Sequence, residues 1–221
     1  MLFVYRSPLL AIIPLLIIGA ALVCARAIAS LLTQNFGLAL NDQVTSIMSV
    51  LLFGAGTDFT LFIVSRYREE WQKLGSEQRW QAMRVTMTKV GPAIATSGGT
   101  TIVAMLVLLW ASNGSFVSLG PMLAMAVLVM LITALTVVPG VIVILGRAAF
   151  WPMDPFKGRA QVSRFWSWAS EIISRAGGRV LVISSLLLGV AALGSGLLQP
   201  NFGFVDGFPD TMDSKIGYKI L

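Results

Sequence analysis

The sequence predicts an all-α membrane protein, a polytopic helical bundle of about five transmembrane helices with amphipathic helices on one side. Three observations predict it. Of the 221 residues, 56% are hydrophobic and 12% charged, about half the ~25% charged content of a soluble domain. Mean hydropathy is +0.82. The apolar residues gather into runs near the ~20 residues that cross a hydrocarbon core, with the basic residues between them.

Residues 1–7, MLFVYRS, read as the end of a preceding helix closed by Arg6. The first span covers residues 8–33 and is too long for the apolar core of a signal peptide. Pro8 sits near its start, where a missing N–H costs nothing; Pro14 marks a kink. Arg26 lies near the far end, where snorkelling to the interface is favoured over a buried partnership with Asp58. After the polar connection 34–43 comes the second span, 44–65, which carries Asp58.

Residues 66–90 form a basic linker within the 8–145 bundle. In it Trp71, Leu74, Trp80, Met83, Met87 and Val90 fall mostly at spacings of three and four, interrupted at Gly75-Ser76. That pattern predicts an amphipathic helix on the membrane surface, with tryptophans at headgroup level. The third span, 91–111, carries a small and hydroxylated patch from Ala95 to Thr101, suited to close helix contact. The fourth, 117–145, is long enough to tilt, and Pro139-Gly140 marks a kink.

Residues 146–179 are a second basic linker. Beyond Trp151-Pro152, Val162, Phe165, Trp166, Ala169, Ile172, Ile173 and Ala176 predict another amphipathic helix. The last span is 180–198. The tail, 199–221, is polar and punctuated by glycine and proline.

Six of the 16 basic residues fall in 66–90 and six in 147–179, on the same side as Arg6. By the positive-inside rule that side is cytoplasmic, which puts the N-terminus in the cytoplasm and the C-terminus outside. The basic residues form no face separate from the ends of apolar spans, so nucleic acid is not expected as a partner. The lone cysteine, Cys24, allows no internal disulfide. With no histidine either, no metal or cofactor site is expected.

Asp58 lies deep inside an apolar run. A carboxylate at membrane depth costs about 2.5–3.5 kcal/mol on insertion scales and by default marks a functional site. It precedes Arg66 by eight residues, roughly 12 Å along a helix, so it sits inside the membrane rather than at its surface. Leu51, Gly54, Ala55 and Phe62 share its face. Burial disfavours the charged carboxylate, so a group alternately wet and dry can load and release a proton. The competing reading is a structural acid hydrogen-bonded to a hydroxyl such as Thr100 or Thr101. Enzymatic chemistry is not expected: no second deep acid completes a shared-proton dyad, and no histidine stands ready as a base.

Several stretches resemble one family. LLFGAGTDFTLFIVSRYREEW is similar to the fourth-helix signature of the MMPL family, in the resistance–nodulation–division (RND) superfamily of transporters. LTVVPGVIVILGRAAFWP resembles the end of that family's sixth helix, VYRSPLLAIIPLL the join of its second and third, and FVDGFPDTMDSKIGYKIL the start of its second porter domain. The resemblance implies that the five spans are helices three to seven of a twelve-helix transporter, making the chain an internal fragment or a truncated form. It implies a proton-motive-force-driven exporter of lipids or other hydrophobic compounds, with Asp58 as the protonatable coupling residue. Gly54 and Gly56 would allow close packing around it, with Ser97 and Thr101 as polar lining. Partners implied are the bilayer, protons, a hydrophobic substrate, and a missing transporter half or a second copy. Two features depart from the pattern: Phe59 follows Asp58 where the family has tyrosine, and the family's second aspartate, on helix ten, lies outside this chain. The alternative is a membrane remnant or assembly partner without ion coupling.

Overall fold

A computed structural model describes residues 7–36, 40–111, 114–152, 156 and 164–194. Residues 1–6 and the tail 199–221 lie outside the described residues. All the regular structure described is helical, and five helices are long and apolar enough to cross a membrane. These are α1 (Pro8–Phe36), α2 (Asp42–Leu74), α3 (Arg79–Val107), α4 (Gly114–Leu145) and α5 (Arg164–Gly194). Short 3-10 turns, Leu108–Trp110 and Gly146–Phe150, extend α3 and α4.

The helix ends follow local chemistry. Ser7 begins α1: its Oγ accepts from Leu10 N–H at 3.4 Å, and its hydroxyl is shared between Trp151 O at 2.7 Å and Ala149 O at 3.1 Å. One side chain thus caps α1 and ties it to the end of α4. Asn41 caps α2, accepting from Val44 N–H at 2.9 Å, and Asp42 suits the positive end of the helix dipole. Gly75 ends α2 at φ 97°, a conformation glycine adopts without a Cβ clash. α1 and α4 remain helical through Pro14, Pro121 and Pro139.

At 33 residues, α2 is about 50 Å long, well beyond a ~30 Å hydrocarbon core. Its last turns therefore project from the membrane. The basic stretch 66–90 is no separate surface helix: its first part ends α2, its second begins α3, and residues 75–78 turn the chain between them. Its apolar face packs inward, with Tyr67, Trp71, Met83 and Val90 buried, while Trp80 is exposed.

α4 packs against α1, α2 and α3, and the core has two parts. Near the basic side, Ile63, Val64, Tyr67 and Trp71 of α2 meet Met83, Val90 and Ile94 of α3 and Val138, Ile142 and Phe150. Toward the other side, Met48 and Leu52 of α2 meet Met122, Met130 and Ala134 of α4 and the buried stripe Ala21, Ala25, Ala29 of α1. Within a bilayer, moving apolar side chains out of lipid brings little hydrophobic gain, so small residues that let backbones approach hold such a bundle together. Gly56 shows the fit: a Cβ there would lie 2.8 Å from Ile18 and 2.9 Å from Met130.

α5 belongs to a second compact unit, residues 160–221. Its backbone leaves helical values at Ala176 (φ −135°, ψ 34°), immediately before Gly177-Gly178. Adjacent glycines are a usual cause of such a bend. Arg175 pairs with Glu171 at 2.7 Å, one turn back.

Candidate functional site

Asp58 stands on the part of α2 that borders α3, at the edge of a groove of about 600 Å³. Phe59, Leu61, Phe62 and Ser65 of α2 line it from one side, and Ala93, Ile94 and Ser97 of α3 from the other. The walls are apolar except for the carboxylate and two serine hydroxyls. Asp58 is exposed to this groove and, among the described residues, forms no ion pair or hydrogen bond to another side chain.

The hydroxyls that a structural acid would call on are engaged elsewhere. Thr100 Oγ1 donates to Thr96 O at 2.7 Å, and Thr101 Oγ1 to Ser97 O at 3.0 Å. Thr96 likewise donates to Pro92 O and Ala93 O at 3.0 Å. These bonds back onto their own helix, which satisfies the hydroxyls in an apolar medium. Ser97 lines the groove with Asp58; Thr101 is not among its lining residues. Gly54 is exposed with open space around it, whereas Gly56 is buried against Ile18 and Met130, facing α1 and α4. Arg26 donates to Ser49 Oγ at 3.0 Å, nearer the start of α2, rather than to Asp58.

A second carboxylate on α2 is built differently. Glu70 is buried and meets three cations: Lys89 of α3 at 2.9 Å, Arg66 at 3.0 Å and Lys73 at 3.4 Å. It lies beyond the apolar part of α2, in the charged hairpin. The hydrogen bond from Lys89 holds its carboxyl below the ordinary 4.5 against the opposing effect of burial, with Lys73 acting in the same direction. Arg66 also pairs with Glu69 at 2.7 Å. Below this network Tyr67 stacks on Trp71 with ring centroids 5.3 Å apart, and Phe150 and Phe156 close the cluster. The spacing of Glu70 from Arg66 and Lys73 is visible in the sequence as helical neighbours. Lys89, nineteen residues away, carries no sequence signal; only the antiparallel packing of α2 and α3 brings it in.

Five long apolar helices, four of them packed in one bundle around a buried small-residue seam, define a multi-pass α-helical membrane protein. Its sequence matches the MMPL family over residues 1–180. The chain belongs to the MMPL family.

Among curated relatives, it is 43% identical over 220 residues to ActII-3 of Streptomyces coelicolor, named as a membrane protein; the match covers 98% of this chain and 31% of that one. It is 31% identical to the apo-petrobactin exporter of Bacillus anthracis, over all of this chain and 32% of the relative. It is 32% identical to the sulfolipid-1 exporter MmpL8 of Mycobacterium tuberculosis, over all of this chain and 20% of the relative. The chain thus spans about a fifth to a third of the length of these relatives.

Proposed function

We propose that this chain is the membrane-embedded part of a proton-motive-force-driven exporter of lipids or other hydrophobic compounds, with Asp58 the group that takes up and releases the proton. The observation that carries the reading is the unpaired state of Asp58 beside an open groove at membrane depth. A permanently structural carboxylate would be paired or hydrogen-bonded, as Glu70 is. A carboxylate that must alternate between charged and neutral forms is better left without a fixed cation. Moving its charge through the membrane field is worth about 2.3 kcal/mol per 100 mV. Relatives named as exporters of a sulfolipid and of apo-petrobactin support the transport class and the breadth of its cargo.

Ser97 places a hydroxyl on the opposite wall of the groove, and a second protonatable group from outside residues 1–221 completes the relay. Gly56 sets the depth at which α2 seats against α1 and α4, which fixes where Asp58 stands. The hairpin between α2 and α3 faces the cytoplasm, by the concentration of basic residues on that side.

The test is Asp58→Asn in the transporting assembly, which keeps the side-chain shape but cannot ionise. Export driven by a proton gradient should be lost while the protein still reaches the membrane at normal abundance. Undiminished gradient-driven export in that variant would overturn the assignment. The topology is tested by cysteine labelling with an impermeant reagent: Ser76→Cys should react from the cytoplasm and Ser115→Cys from outside.

A further inference from the structure

A second cavity adjoins the Asp58 groove. It measures about 410 Å³ and is lined by Phe62, Ser65, Arg66, Glu69, Lys89 and Val90. Phe62 and Ser65 line both cavities, so the two are successive parts of one channel-like groove between α2 and α3. It runs from the membrane-embedded carboxylate to the charged hairpin. We propose that this groove is the path by which Asp58 exchanges its proton with the basic side of the membrane. Ser65 is the relay hydroxyl, Phe62 the apolar barrier, and Glu69 the surface carboxylate at its mouth. The inference rests on the reading of Asp58 as a proton carrier.

Helix geometry supports the assignment. Asp58, Phe62, Ser65 and Glu69 follow one another at offsets of four, three and four, which places them on one stripe of α2. Along the axis Asp58 and Ser65 are about 10 Å apart, and Ser65 and Glu69 about 6 Å. Neither gap suits a direct hydrogen bond, so water must bridge them. A groove of about 600 Å³ is wide enough to admit water. The Asp58 carboxylate and the Ser97 and Ser65 hydroxyls give such a chain its polar partners. The Ser65 hydroxyl donates to Phe62 O at 3.0 Å, and its oxygen remains free to accept. The Phe62 side chain stands between Asp58 and Ser65 on the stripe and is half exposed, so its ring can interrupt or admit the water chain.

The choice between the two acids at the mouth follows from their charge partners. Glu70 is 6% exposed and held ionised by Arg66, Lys73 and Lys89. Glu69 is 54% exposed and pairs with Arg66, while Lys89 of α3 lines the same cavity. A proton arriving at Glu69 displaces one exposed ion pair and meets bulk water directly, whereas one arriving at Glu70 would displace three cations from a buried carboxylate. In the outward step the carboxylic acid of Asp58 gives its proton to a groove water. The Ser65 oxygen accepts that proton as its own hydroxyl proton turns from Phe62 O to the next water; that water in turn passes a proton to Glu69. Asp58 is left as a carboxylate, and Glu69 returns to one by releasing the proton to solvent.

The test uses the full chain in proteoliposomes and a pH jump on the basic side. Protonation of Asp58 is followed by its carboxylic C=O infrared band, identified by the loss of that band in Asp58→Asn. Ser65→Ala and Glu69→Gln should each slow the response by up to about 10²-fold, the lower end of what one positioned proton-transferring group contributes, and Phe62→Trp, which enlarges the barrier, should slow it as well. Ser65→Thr should restore the rate, and Glu70→Gln should leave it unchanged. A role in folding alone would not leave Glu70→Gln, the more destabilising change, with the faster response. In a Cys24→Ser background, Ser65→Cys should react with an impermeant thiosulfonate added on the basic side. If no band titrates with Asp58, the proton-carrier reading itself fails. If the band titrates but keeps its normal rate in all three variants, Asp58 stands and this path is wrong.

Discussion

Two of the carboxylates on α2, Asp58 and Glu70, lie twelve residues apart and have opposite surroundings. Glu70 is buried and meets three cations within 3.4 Å. Asp58, at membrane depth, meets none and opens onto a groove. Solvation alone predicts the reverse, since the group farther from water has the greater need of a counter-charge. The inversion separates two uses of the same chemistry. Glu70 joins helices: Arg66 and Lys73 come from its own helix, but Lys89 belongs to α3, so its network fastens the hairpin. Asp58 joins nothing within the described bundle, and its carboxylate lines an open groove instead.

The largest expected effect separates the two residues outright. Asp58→Asn should abolish gradient-driven export and leave the melting temperature of the detergent-solubilised chain where it was, because no partner is lost. Glu70→Gln should do the opposite, preserving transport and lowering stability. If both variants lose transport equally with no change in melting, the division of labour between them is mistaken.

Next in size is the packing beneath Asp58. Gly56→Val drives a branched side chain into Ile18 and Met130, where even a Cβ is closer than real contacts allow. A destabilisation of about 1–3 kcal/mol is expected, as for overpacked cores. Gly54→Ala, two residues away in open space, should be close to neutral in the same thermal assay. A similar loss at both positions would show that α2 does not seat on α1 and α4 through Gly56.

Much of this arrangement is legible in the sequence, and the rest fails for identifiable reasons. The five apolar runs announce the spans, because their length and composition depend on no distant neighbour; the groove beside Asp58 does depend on one, since Ala93, Ile94 and Ser97 of α3 form one of its walls. The division of spans from surface helices at Arg66 and Gly91 is not how the helices run. The i, i+3 and i, i+4 pairing of Arg66, Glu69, Glu70 and Lys73 continues α2 for two more turns, and only Gly75 stops it. The periodicity of 66–90 marks Trp71, Met83 and Val90, which are buried, together with Trp80, which is exposed, and periodicity cannot distinguish a bilayer surface from a neighbouring helix as the cover. Here Val138, Ile142 and Phe150 are the cover. The small residues flanking Asp58 carry the same ambiguity: Gly54 and Gly56 look alike in the chain, and only tertiary packing makes one a contact and the other a gap.

The smallest expected effect bears on Glu70 alone, and its sign follows from the ion network. Its carboxyl is held below the ordinary 4.5 by Lys89 first and Lys73 after it. A depressed folded value means that the network's contribution is present above pH 4.5 and is lost as pH falls through the lower folded value. The cover over Glu70 is thin: Arg66, Lys73 and Lys89 are 34%, 62% and 48% exposed, so water and salt screen them. A contribution of about 1 kcal/mol is therefore the scale to expect, at the level of a well-placed surface network rather than a buried pair. Thermal unfolding followed from pH 7 into the acid range should show wild type losing this increment while Glu70→Gln, which has no charge to lose, declines less. Added salt should narrow the gap at neutral pH, because the attraction it screens lies within a Debye length of solvent. Lys89→Gln should reproduce most of that loss, since it removes the shortest contact and the link to α3. Were Lys73→Gln to cost as much as Lys89→Gln, the network would be a property of α2 by itself. Glu70 would then no longer be what joins the two helices on either side of the groove.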